Sequence, residues 1–279
     1  MSAPDWSALS QAELDAGLNN SAAVPDSDEI VAGWKERSRG VRARWPQHLD
    51  LRYGPRERNR IDVLIAADRA PTLLFIHGGY WQFRAKEDFT FIATGPLEHG
   101  INVALMGYTL APEITLDGIL SEIDAGVEFL ARNLGELVVE PGPVVAAGWS
   151  AGGHLAVAAA RHERIAAALS ISGVFDLEPV QHSYLNERLG LDREAARRNS
   201  PVYWVDDIAK PVSLAVGSHE LLLLRDQTAR YAAARSRKWL RTSYEEIEGC
   251  NHFTIMNEIA EPAGRITMLI QRLIEDSVR

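Results

Sequence analysis

In the first 45 residues apolar positions recur at helical spacing, and "SDEIVAGWKERS" predicts a helix capped by Ser27 with acidic residues in its first turn. The period then changes. "HLDLRYG" and "IDVLIA" alternate polar and apolar residues around the charged turn "PRERNR", the pattern of an antiparallel hairpin at a sheet edge. Beyond them "TLLFIH", "INVALMGY", "PVVAAGWS", "IAAALSISG" and "PVSLAVGS" are continuous apolar runs, as strands buried on both faces require. Helical segments such as "LDGILSEIDAGVEFLARNLGEL" and "AGGHLAVAAARH" separate them, and the strand-like "RTSYEEIE" comes last. This rhythm predicts an α/β fold: a mostly parallel central sheet of about eight strands, with helices on both faces. Residues 176–204, rich in charge and turn formers, break the rhythm and are predicted to cross one end of the sheet as a cover.

Composition narrows the class without changing that picture. The 279 residues are 46% hydrophobic and 24% charged, enough to bury a large core, and predict one domain over residues 1–279 with residues 1–45 as an N-terminal helical cap segment. A formal net charge of −9 argues against nucleic acid or an anionic membrane as partner, since both demand clustered Lys and Arg. The start shows no basic-then-apolar leader and no later run approaches a membrane span, so a cytoplasmic location is expected. The single cysteine, Cys250, excludes an internal disulfide and a Cys-based zinc cluster. With no His-x-x-x-His pair, phosphate loop or dinucleotide fingerprint, neither metal nor cofactor is expected.

The chemistry concentrates where strands end. "PVVAAGWS" runs through "GWSAGG" into a small-residue helix, matching Gly-x-Ser-x-Gly, the sharp turn that pushes a serine outward at a helix N-terminus. Ser150 is therefore the expected nucleophile. "HGGYW", residues 77–81, closes an earlier strand and matches the loop that supplies part of the oxyanion hole in α/β-hydrolases. The backbone N–H groups of Gly79, Tyr80 and Ala151 are the expected donors, and His77 is expected to brace the loop. His252 in "EGCNHFT" follows the last strand and is the expected base. For the orienting acid, Glu220 stands nearest the end of "PVSLAVGS", ahead of Asp226 on the next helix. The chain order Ser150, Glu220, His252 is that of the α/β-hydrolase fold.

Together "HGGYW", "GYTLAPE", "GWSAGG", "SGVFDLEP", "VGSHEL" and "NHFT" resemble the kynurenine formamidases (arylformamidases), within the hormone-sensitive-lipase-like branch of the α/β-hydrolases; the resemblance covers roughly residues 48 to 256. It implies hydrolysis of N-formyl-L-kynurenine to kynurenine and formate, in tryptophan breakdown. The alternatives are a carboxylesterase acting on small-acyl or aryl esters and, more remotely, a non-catalytic ligand-binding homologue.

The expected partner is a small-molecule substrate, with a homodimer left open. Trp81, Trp149 and Phe175, each set against plain core packing, and Tyr184 on the covering excursion are the aromatic candidates for binding it. Arg84 and Lys86 are candidates for its carboxylate, set against a solvated surface, and Asn19 or Asn20 in "LNNSAA" for reaching over the site.

Overall fold

The computed structural model describes residues 6–45 and 48–278; the first five residues of the predicted N-terminal segment lie outside the described residues. Eight strands form one sheet: β1 (Leu51–Arg52), β2 (Arg60–Leu64), β3 (Thr72–Ile76), β4 (Asn102–Met106), β5 (Val144–Trp149), β6 (Ile165–Ile171), β7 (Val212–Gly217) and β8 (Thr242–Ile247). Their order is β1-β2-β4-β3-β5-β6-β7-β8. β2 runs antiparallel to both β1 and β4, and every other pairing is parallel. This is the eight-stranded, mostly parallel sheet of an α/β-hydrolase.

The apolar runs are continuous because alternate side chains enter two separate cores. Leu74 and Ile76 of β3 point into one, with the helices Leu116–Leu137, Ala151–Ala159 and Leu222–Arg237. Leu73 and Phe75 point into the other, with the helices Ser27–Arg44 and Arg265–Ser277. The edge strand β1 is shorter than the predicted "HLDLRYG". Asp50 turns away at φ +58° and gives its carboxylate to Lys86 Nζ, 2.6 Å away, so pairing starts only at Leu51.

The helix Ser27–Arg44 differs from expectation at its start: Asp26, not Ser27, occupies the capping position, and Ser27 is buried in the first turn. Trp34 on this helix is fully buried, with its ring 5.4 Å from Trp149, 5.6 Å from Phe91 and 5.9 Å from Phe253. The N-terminal segment thereby supports residues that lead directly to the site. Among the described residues no helix is long and apolar enough to cross a membrane.

Candidate active site

Ser150 sits between β5 and the helix Ala151–Ala159 at φ +58°, ψ −121°, backbone angles that L-residues rarely occupy. The turn closes because its flanking glycines admit backbone where a side chain cannot fit. A Cβ on Gly148 would lie 2.0 Å from Gly152 O, and one on Gly152 would lie 2.0 Å from Ile76 O. Ser150 N donates to Ile171 O at 2.8 Å, which ties the turn to β6.

The same steric logic explains "HGGYW". A Cβ on Gly78 would stand 2.4 Å from Trp149 O and 3.1 Å from Ser150 Cβ, so this loop lies directly against the serine turn. Gly79 at φ +109° and Tyr80 at φ +49° then turn the backbone, and both line the cavity containing Ser150. Ala151 opens the following helix, where its N–H has no helical acceptor. His77 is buried beneath: its ring stacks on Tyr108 at 4.4 Å, Tyr108 Oη donates to His77 O at 3.0 Å, and its Nδ1 lies 2.8 Å from Gly78 O. Burial pushes its pKa down to about 4, so it is a neutral brace. His154 is likewise buried, with a pKa lowered by burial to about 4 and Nε2 at 2.8 Å from Asn199 O. Of these three histidines, only His252 reaches the cavity.

Glu220 and His252 are joined: Nδ1 of His252 lies 2.7 Å from Glu220 Oε2. A carboxylate can only accept, so Nδ1 carries the proton and Nε2 is left free as a base. The other carboxylate oxygen accepts from Gly217 N–H at 2.8 Å and from Ser172 Oγ–H at 2.5 Å. Ser172, at φ +54° just past β6, thereby holds the Glu220 carboxylate. Asp226 is elsewhere, paired with Arg230 at 2.5 Å on the helix Leu222–Arg237.

The loop bearing His252 is pinned from both sides. Asn251 Oδ1 accepts from Phe253 N–H and Thr254 N–H, each at 2.9 Å, and Trp149 Nε1–H donates to His252 O at 2.8 Å. Among the described residues no hydrogen bond joins Ser150 Oγ to His252. Both face the same cavity, and contacts of this kind tighten when substrate is bound.

The cavity measures about 590 Å³, within the range of small-molecule sites. Of the four aromatic candidates, Trp149 and Tyr184 line it and two do not. Trp81 is a correction: the turn at φ +59° drives its ring into the core, edge-on to His154 at 5.2 Å, and it is fully buried. Phe175 is another, because it stacks on Tyr231 at 4.4 Å behind the site. Lys86 is also withdrawn, held by Asp50, Asp62 and Glu87 at 2.6, 2.8 and 2.7 Å. Arg84 does line the cavity, as do Asn19 and Asn20.

The cover has two parts. Tyr80 Oη donates to Leu18 O at 2.6 Å and accepts from Asn20 Nδ2 at 3.0 Å, tying the N-terminal segment to the loop at His77–Trp81. From the excursion come Tyr184, Leu185, Glu187 and Arg188. Tyr184 N–H donates to Asp15 Oδ1 at 2.9 Å, so the two parts also hold each other.

Residues 64–176 match the BD-FAE family model. The chain is 26% identical to a kynurenine formamidase from Danio rerio over 98% of its own length and 99% of the fish protein's, and 28% identical to one from Salmo salar, over 88% of each. Among solved structures it is similar to a candidate thioesterase from Silicibacter sp. TM1040, with a TM-score of 0.82 and 26% identity over 93% of this chain and 99% of that one.

Proposed function

We propose, for a chain that is an arylformamidase-like α/β-hydrolase and thus a hydrolase of formamide or ester bonds, that it hydrolyses N-formyl-L-kynurenine to L-kynurenine and formate through Ser150, His252 and Glu220. The observation that carries the reading is the buried Glu220–His252 pair facing Ser150 in a cavity walled by aromatic rings, in a chain matched almost end to end by formamidases.

In this reading Ser150 Oγ attacks the formyl carbon while His252 Nε2 takes its proton. The carbonyl oxygen becomes an oxyanion and receives the N–H groups of Gly79, Tyr80 and Ala151, which bind it better than the flat ground-state carbonyl. Collapse expels the aryl amine, whose nitrogen takes the proton from His252. Water, activated by the same imidazole, then attacks the formyl ester and releases formate, returning the proton to Ser150. An aryl amine delocalises its lone pair into the ring, so it leaves more readily than an alkyl amine.

A formyl carbon carries only hydrogen, which suits a serine bordered by Trp149 and Tyr80. Across formanilide, acetanilide and butyranilide, kcat/KM is therefore expected to fall steeply, by about tenfold or more at each step. The likeness to a thioesterase fold keeps a carboxylesterase as the second reading. A flat profile, or one rising with acyl length, would select it.

A further inference from the structure

The cavity wall carries charges that the hydrolytic steps do not use. Lys35 and Asp88 lie 3.9 Å from each other and offset one another. Arg188 is spread over the Phe83 ring, 5.3 Å from its centroid. Arg84 differs: its side chain is half-buried, faces the cavity and makes no hydrogen bond or ion pair among the described residues. Burial lowers its pKa from the ordinary guanidinium value, a desolvation that the charges of Asp88 and Asp28 oppose without reversing. An incompletely compensated cation beside an apolar cavity favours an anionic ligand.

Its position is also enforced. Arg84 has φ +74°, and Arg58 donates to its carbonyl while also binding Tyr108 O at 3.1 Å. A Cβ on Gly79 would lie 2.9 Å from Arg84 Cγ, so the arginine stem rests on the oxyanion loop itself. A left-handed backbone held by a second arginine points to a placed side chain. Glu187, on the excursion, also lines the cavity and has no ion-pair partner among the described residues. The segments bearing Arg84 and Glu187 are held to one another because Gln82 Nε2–H, two residues before Arg84, donates to Leu185 O, two residues before Glu187, at 2.9 Å.

We propose that Arg84 binds the carboxylate and Glu187 the ammonium of an α-amino-acid substrate, so that this cavity selects a zwitterion at one end and a scissile acyl group at the other. The assignment rests on the formamidase reading and supplies its selectivity.

The test compares N-formyl-L-kynurenine with formanilide, which has the aryl formamide but no amino-acid end, in the wild type and in the Arg84→Met, Arg84→Lys and Glu187→Gln variants. Arg84→Met is expected to lose about 10- to 100-fold in kcat/KM on N-formyl-L-kynurenine, chiefly through KM, and about tenfold less on formanilide. Arg84→Lys should recover part of the loss, and Glu187→Gln should shift the same ratio. Equal losses on both substrates would overturn the assignment.

Inhibition of 4-nitrophenyl acetate hydrolysis by L-kynurenine separates this inference from the formamidase reading. If no formamide is turned over, that reading fails alone. A KI raised about tenfold in Arg84→Met would still support the zwitterion site, and an unchanged KI would refute it.

Discussion

Ser150→Ala is expected to lower kcat/KM by about 10⁵- to 10⁶-fold on every substrate, to the residue of rate that binding and the oxyanion donors alone provide. The size of the loss follows from the covalent route: without Oγ there is no acyl-enzyme, and His252 has nothing to activate in the first step. The fold should survive. Ser150 Oγ makes no hydrogen bond to protein among the described residues, the strained backbone at φ +58° is imposed by Gly148 and Gly152, and alanine removes one atom. Thermal unfolding midpoints within about 2 °C of wild type, measured beside the kinetics, would establish that activity and not structure was lost. Retention of more than about one-hundredth of the rate would remove Ser150 as nucleophile.

Glu220→Gln is expected to cost about 10⁴-fold in kcat, and the reason lies in how the carboxylate is held. Oε1 faces the N–H of Gly217 at 2.8 Å, a donor that cannot rotate, and Oε2 faces Nδ1 of His252 at 2.7 Å. A glutamine must point its single carbonyl oxygen at Gly217, which turns its NH₂ toward the imidazole. Nδ1 then accepts a hydrogen bond, the proton moves to Nε2, and the nitrogen facing Ser150 can no longer take one. Activity within about tenfold of wild type would show that Glu220 does not orient the base. Asp226 offers no substitute, since it is paired with Arg230 on the helix Leu222–Arg237 and does not line the cavity of Ser150 and His252.

The sheet was legible because burial on both faces forces continuous apolar runs, and β3 through β7 follow them closely. The serine turn and the loop at His77–Trp81 were legible for a different reason: approaches of 2.0 to 2.4 Å to backbone leave glycine as the only residue that fits. Side-chain direction within such loops carries no periodic signal. Tyr80, Trp81 and Arg84 all have positive φ, so neighbours in sequence diverge, one ring to the N-terminal segment, one into the core and the guanidinium into the cavity.

Long-range partnerships were equally hidden. Lys86 looked like a solvated lysine until Asp50 and Asp62, from two separate segments, met it at 2.6 and 2.8 Å. Ser172 reaches Glu220 across two strand ends. Glu187 lies on the short helix Asn186–Leu189, where its charge pattern reads as ordinary surface. Such residues acquire meaning only when the sheet order brings separate strand ends to one side.

The central claim is formamide cleavage by this serine site, and the most direct measurement is kcat/KM on N-formyl-L-kynurenine beside phenyl acetate and 4-nitrophenyl butyrate, with Ser150→Ala as the blank. The account predicts a value of about 10⁴ M⁻¹ s⁻¹ or more on the formamide, well above both esters and absent from the blank. Negligible formamide turnover beside brisk ester cleavage would contradict it.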